Sequence, residues 1–228
     1  MIKTILFDID DTLLDFKKGQ KNALRKMFND QGIEMTSDVF ETYQARNHEL
    51  WQQFERGEIE KERVLSERFT YIFEECGLVR DGKEMDELFR GYLKEEAILL
   101  PHAYETVSAL SEQYDLYIVT NGVSVTQYSR LDKSGLRPYF KDVFVSEDTG
   151  YQKPMPEFFD YAFERIAGAN TDETIIIGDS LSADIVGGNR YGIKTCWYNP
   201  DNLEMTGESQ PDYEINDLSK LSELLKKS

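Results

Sequence analysis

Five short apolar runs rich in β-branched residues recur along the chain, at Thr4–Ile9, Leu116–Thr120, Asp142–Ser146, Thr174–Gly178 and Lys194–Tyr198. Their interiors are apolar without strict alternation, the pattern of strands covered on both faces, as parallel strands are. Between the later runs the period changes. Glu105–Tyr114, Ser124–Gly135, Pro156–Ala167 and Ser182–Tyr191 repeat apolar residues at helical spacing, and the third has Pro156 at its first position and Gly168 as its stop. Alternating β and α elements predict an α/β fold, a doubly wound parallel sheet of the Rossmann-like kind.

The interval between the first run and the second breaks this rhythm, because about a hundred residues stand where one crossover would do. From Phe16 to Ile98 the chain reads as helical, without proline and with periodic sets such as Ala23, Leu24, Met27, Phe28 and Val64, Phe69, Ile72, Phe73. Gly32, Gly57 and Gly77 mark helix breaks, so three or four helices in a small bundle are expected. The chain is therefore expected to form a core from residues 1–15 and 99–228 with residues 16–98 inserted as a helical domain. After the fifth run, Asn199–Pro211 reads as loop, Asp212–Ile215 as an edge strand and Leu218–Leu225 as a closing helix.

Composition narrows the function. A formal charge of −17 argues against a nucleic acid polymer as partner, while a lysine and a divalent cation can still make one pocket attractive to a small anion. Cys76 and Cys196 fall in different predicted domains, which gives no disulfide framework. No apolar stretch reads as a signal peptide or a membrane span, so no membrane partner and a cytoplasmic location are expected. His48 and His102 lie far from the strand ends considered next, and there is no Gly-rich phosphate loop of the P-loop or dinucleotide type.

The first strand runs into Phe7-Asp8-Ile9-Asp10-Asp11-Thr12-Leu13, with three carboxylates in four residues at the edge where open α/β sheets bind ligands. In an extended chain Asp8 and Asp10 leave on the same side. Crowded carboxylates call for a cation, and oxygen-only donors suit a hard one such as Mg²⁺. Read blandly, the segment is an acidic turn with Thr12 capping a helix. The fourth strand ends in Gly178-Asp179-Ser180, followed by Asp184. Ser180 or Ser182 would serve as an N-cap and Asp184 as a first-turn acid, but Asp179 is better explained by a cation shared with Asp8 and Asp10. That sharing requires strands one and four to be neighbours. At the second strand's end, Thr120-Asn121-Gly122 offers a hydroxyl and an amide suited to phosphoryl oxygens, and Lys153 follows the third strand as a candidate counter-charge.

Asp8-x-Asp10-x-Thr12, Thr120, Lys153 and Gly178-Asp179-Ser180-x-x-x-Asp184, in this order, resemble the four motifs of the haloacid dehalogenase-like hydrolase superfamily. The resemblance spans essentially the whole chain, and the helical insertion resembles the cap of the subfamily that carries its lid after strand one. Asn47-x-x-Leu50-Trp51, Gly57 and Arg68-Phe69 are similar to the branch of nucleoside 5′-monophosphatases active on pyrimidine and non-standard nucleotides.

This resemblance implies an Mg²⁺-dependent phosphomonoesterase in which Asp8 is the nucleophile and forms an aspartyl-phosphate, and Asp10 is acid and then base. It further implies Mg²⁺ on the side chains of Asp8 and Asp179 and the backbone carbonyl of Asp10. Asp184 would bind a metal water or orient Lys153. Thr120, Asn121 and Lys153 would hold the phosphoryl group, and Asn47, Trp51 and Arg68 would meet the substrate. The partner implied is a small phosphate monoester, for a monomer or small homo-oligomer. A sugar-phosphate phosphatase and a phosphosugar mutase share these motifs, and a silent phosphate-binding module would use the same pocket. A haloacid dehalogenase would lack Asp10.

Overall fold

The computed structural model describes residues 1–205 and 210–226. The chain divides into two compact units, Met1–Phe16 with Ala97–Ser228, and Lys17–Glu96.

The larger unit is built on a six-stranded, wholly parallel sheet of β1 (Thr4–Phe7), β2 (Asp115–Thr120), β3 (Asp142–Val145), β4 (Thr174–Gly178), β5 (Lys194–Tyr198) and β6 (Tyr213–Ile215), in the order β3-β2-β1-β4-β5-β6. Phe7 of β1 is in register with Ile118 of β2 on one side and Ile177 of β4 on the other. The chain therefore builds outward from β1 twice, in opposite directions, and β1 is the point where strand order reverses. Successive side chains alternate between two apolar layers. Ile5, Phe7, Leu116, Ile118, Ile175 and Ile177 join one with Val107, Leu131 and Leu221, while Leu6, Tyr117, Val119 and Ile176 join the other with Phe158, Phe159 and Ala162. Coverage on both faces is why these strands read as continuous apolar runs.

The insertion leaves and returns through paired backbone. Leu14 bridges Leu99 in antiparallel fashion, flanked by Leu100 N–H to Leu13 C=O at 3.0 Å and Asp15 N–H to Ile98 C=O at 2.8 Å. Between them run α1 (Phe16–Asp30), α2 (Ser37–Glu55), α3 (Lys61–Glu75) and α4 (Gly82–Leu93). Thr36 caps α2 by accepting from Val39 N–H, and Asp81 caps α4 by accepting from Lys83 and Glu84 N–H. This smaller unit has its own aromatic core, with ring centroids 5.4 Å apart for Phe28 and Phe73, 5.5 Å for Tyr43 and Phe69, and 5.3 Å for Phe69 and Phe89.

The remaining helices are α5 (Ala103–Ser111), α6 (Ser124–Ser134), the short α7 (Ser146–Thr149), α8 (Pro156–Arg165), α9 (Val186–Tyr191) and α10 (Leu221–Leu225). Several expected boundaries move. The first strand stops at Phe7 and not at Ile9, because Ile9 C=O accepts from the amides of Thr12, Leu13 and Leu14 and folds the chain back. The helix expected from Ser182 opens as a wide π-type turn, Leu181–Ile185, capped by Ser180, before α9. The closing helix begins as a 3₁₀ turn, Leu218–Lys220. Residues 206–209 of the expected loop lie outside the described residues. Among the described residues, no helix is long and apolar enough to cross a membrane.

Candidate active site at the strand-order reversal

The ends of β1, β2 and β4, together with the loop after β3, gather Asp8, Thr120, Lys153, Asp179 and Asp184 at one edge of the sheet. Lys153 is the hub. Its side chain is buried, and Nζ donates to Asp8 Oδ1 at 2.7 Å, Asp184 Oδ1 at 2.6 Å and Val119 C=O at 2.8 Å, which uses all three ammonium donors. Burial works against the charge, but the Asp184 and Asp8 carboxylates outweigh it and hold the ammonium above the usual lysine range.

Asp8, Asp179 and Asp184 converge so that one oxygen of each lies within 4.8 Å of the others. Against the Lys153 ammonium this leaves an excess of negative charge. Burial pushes the Asp8 carboxyl up to about 7, with Asp184 and Asp10 adding to the shift and Lys153 opposing it. Asp179 is raised well above the carboxylate range, first by burial and then by Asp8 and Asp184. Hard oxygen donors, a charge deficit and carboxylates that resist ionisation in the bare chain together fit a small divalent cation. The glycine before Asp179 is required here, since a Cβ on Gly178 would lie 2.1 Å from Asp184 Oδ2. Asp184 Oδ2 also accepts from Ser180 N–H at 3.1 Å, and Thr12 ties the loops after β1 and β4 together by accepting from Asp179 N–H at 3.1 Å.

Several predicted site residues have side-chain partners within the fold. The Asp10 carboxylate, expected as acid and base with the Asp10 backbone carbonyl as the metal donor, faces α6, where it pairs with Arg130 and accepts from Gln127 Nε2 at 2.8 Å. The Asn121 side chain, expected to hold the phosphoryl group, closes a two-bond clasp on the backbone of Lys153, with Nδ2 to Lys153 C=O at 2.8 Å and Lys153 N–H to Oδ1 at 2.9 Å, so it sets the lysine loop. Asn47 and Arg68 are buried in the smaller unit, where Arg68 bonds Asn47 Oδ1 at 3.0 Å and pairs with Asp86, which in turn pairs with Arg90. Arg68 of α3 thus joins Asn47 of α2 to Asp86 of α4 as a strut between helices. Arg68→Met is expected to lower the free energy of unfolding by about 3 kcal/mol, because Asp86 keeps its buried charge but loses a partner. Urea denaturation measures it, and a loss below about 1 kcal/mol would contradict the strut. Trp51 is half-buried, edge-on to Phe54 at 5.7 Å.

Thr120 carries a constraint on direction. Its Oγ1 accepts from Gly122 N–H at 3.1 Å and from Gln127 Nε2 at 2.9 Å, so both acceptor positions are filled and the hydroxyl is left to donate. A donor at the end of β2 is what an anion needs. Gln127 and Arg130 were not legible as site residues, since polar positions on a helix read as solvent-facing. The available signal was that α6 places Gln127, Arg130 and Leu131 on one face at helical spacing, where an ordinary packing face would be apolar throughout.

A family model described as haloacid dehalogenase-like hydrolase matches residues 2–192. The HAD-hydrolase YfnB of Bacillus subtilis is 48% identical over 98% of this chain and 95% of its own length. A crystal structure of YfnB bound to magnesium superimposes with a TM-score of 0.95 over 98% of each chain. The pyrimidine 5′-nucleotidase PynA of Streptococcus pneumoniae is 38% identical over 99% of this chain and 96% of its own. The pyrimidine 5′-nucleotidase YjjG of Escherichia coli is 34% identical over 97% of this chain and 96% of its own.

Proposed function

We propose that this chain, which belongs to the haloacid dehalogenase-like hydrolase family, is a Mg²⁺-dependent phosphomonoesterase acting through an aspartyl-phosphate on Asp8, with pyrimidine or related nucleoside 5′-monophosphates as substrates. The observation that carries the reading is Asp8 itself, a buried carboxylate held against the Lys153 ammonium beside a Thr120 hydroxyl that can only donate. A hydrolase that bound a neutral ester would gain nothing from that arrangement. The nucleotide assignment rests on the named activities of PynA and YjjG.

In the reaction, an Asp8 oxygen attacks phosphorus in line, the bond to the leaving oxygen breaks, and Asp10 gives that oxygen a proton. Asp10 then takes a proton from the water that cleaves the aspartyl-phosphate. Thr120 Oγ1 and Lys153 Nζ bind equatorial phosphoryl oxygens, so Lys153 exchanges some of its bonds to carboxylates for bonds to the substrate. Asp184 keeps the lysine aimed, and Asn121 fixes the loop that delivers it. Asp8 and Asp179, with the Asp10 backbone carbonyl, would hold Mg²⁺, which when bound supplies positive charge to offset what builds on the phosphoryl oxygens. Residues 1–16 and 97–228 are the catalytic unit in this reading. Choice of leaving group falls to residues 17–96 as a cap, with the half-buried Trp51 as the candidate contact there.

Phosphate release from a panel of nucleoside 5′-monophosphates, sugar phosphates and p-nitrophenyl phosphate tests this. Turnover is expected with Mg²⁺ and not with chelator, with pyrimidine nucleotides ranking first. A sugar phosphate ranking first would replace the substrate assignment, and no hydrolysis of any ester by folded, Mg²⁺-loaded protein would overturn the activity.

A further inference from the structure

Outside the carboxylate and lysine cluster, fully covered polar side chains also lie on the inner face of α6. Arg130 and Gln127 are both fully covered, at 0% and 1% exposure, where apolar side chains would pack at no electrostatic penalty. The Arg130 guanidinium lies over the Phe16 ring at 5.4 Å and donates through one nitrogen to both Asp10 Oδ1 and Gln127 Oε1, the latter at 3.1 Å. Gln127 Nε2 is shared between Asp10 Oδ2 at 2.8 Å and Thr120 Oγ1 at 2.9 Å. This pattern fixes the amide orientation, since the oxygen must face the guanidinium and the nitrogen must face two acceptors. Gly122 makes room for it, because a Cβ there would lie 2.6 Å from the Gln127 amide carbon.

A simple structural ion pair between α6 and the loop after β1 would need only Arg130 and Asp10. The amide that also seizes Thr120 links the proton-transferring carboxyl to the hydroxyl that receives the phosphoryl group. We infer that Gln127 and Arg130 are positioning residues of the reaction, clamping the plane of the Asp10 carboxyl and aiming the Thr120 hydroxyl so that acid and phosphoryl site keep a fixed relation. The inference rests on the phosphatase reading and deepens it. Both Asp10 oxygens are engaged, yet each keeps a second lone-pair site, so the clamp sets the carboxyl's plane and leaves an edge open towards the leaving oxygen. Gln127 and Arg130 touch no reacting atom themselves.

Leaving-group dependence separates positioning from mere support. A nucleotide expels an alkoxide that needs Asp10's proton, whereas p-nitrophenyl phosphate expels a stable anion that does not, and the two share the same phosphoryl contacts. The experiment compares kcat/KM of the full-length, Mg²⁺-loaded protein on uridine 5′-monophosphate and p-nitrophenyl phosphate for wild type, Arg130→Met, Arg130→Lys, Gln127→Leu and Asp10→Asn, with Tm recorded for each. Any loss common to both esters cancels in their ratio.

Arg130→Met and Gln127→Leu are expected to lower the ratio of nucleotide to aryl ester by about 10-fold or more, part of the roughly 100- to 10,000-fold that a placed general acid contributes. Arg130→Lys is expected to recover part of that ratio. Equal losses on both esters, or none, would overturn the inference. If Arg130→Met does not fold, Gln127→Leu and Arg130→Lys give the same readout. Asp10→Asn separates the two levels. If it leaves the ratio unchanged, the acid role of Asp10 and the reading above fail. If it lowers the ratio while Gln127→Leu does not, only the clamp fails.

Discussion

Asp8→Asn is expected to lower phosphate release by roughly four orders of magnitude or more, the scale seen when a covalent nucleophile is removed from an enzyme, and at the same time to make the metal-free protein more stable at pH 8. The two effects share one cause. Asp8 is buried, and in the bare chain its carboxyl gives up its proton only near pH 7, against the ordinary value of 3.8. The unfolded chain therefore releases this proton about three pH units before the folded one does, and each unit of difference is worth about 1.4 kcal/mol. Folded protein pays for that ionisation, and an uncharged amide of the same shape does not. The gain is smaller than the full difference, because the amide loses the charge in its bond to Lys153. Chemical denaturation in chelator at pH 8, beside a turnover assay in Mg²⁺, measures both. A mutant that keeps activity refutes the nucleophile, and one that loses stability at pH 8 shows that the Lys153 bond outweighs the buried charge.

The second large effect is a Mg²⁺-dependent stabilisation that grows with pH. Because the folded-state value of Asp8 is raised, the folded form binds more protons than the unfolded form between about pH 4 and pH 7, so the stability of metal-free protein falls through that window and stays low above it. A divalent cation held as proposed would bind the ionised carboxylates of Asp8 and Asp179 and compete with their protons. At pH 8 and a thousandfold excess over its Kd, Mg²⁺ would add about 4 kcal/mol, a rise in Tm of about 10 °C for a chain of this size. At pH 5, where Asp8 is protonated, the rise is expected to shrink to a small fraction of that. Thermal melts with Mg²⁺ or chelator at both pH values decide it. Equal shifts at the two would mean that Mg²⁺ binds somewhere other than these carboxylates.

Much of the architecture was legible because parallel strands advertise themselves. Runs such as Thr174–Gly178 must be apolar on both sides, and the acidic loops fall at their carboxyl ends. Strand order was not written in any single run. It followed from the requirement that Asp179 reach Asp8, and the neighbouring of β1 and β4 meets that requirement. The polar partners follow a different physics. Arg68 and Asn47 came forward through the family resemblance, which does not show that Arg68 is tied to Asp86 and Asn47, and periodicity, which assigns polar helix positions to solvent, gave no sign that Gln127 and Arg130 hold Asp10. Asn121 shows the same limit at smaller scale. Its residue type suits a phosphate, but only three-dimensional proximity reveals that Lys153's backbone claims it first. Hydrophobic pattern specifies where the chain goes, whereas pairing among buried polar groups is a property of neighbours distant in sequence.

The antiparallel bridge between Leu14 and Leu99 bears on how this protein can vary. Because the two connecting segments are hydrogen-bonded to each other, the strands on either side do not register how much chain lies between them. The cost of closing a loop rises only with the logarithm of its length, by about 0.6 kcal/mol per doubling. Insertions, deletions or wholesale exchange of residues 17–96 thus carry little penalty for the sheet. On the proposed reading of that segment as the cap, divergence could remodel substrate choice there while the carboxylates at the end of β1 stay under separate selection.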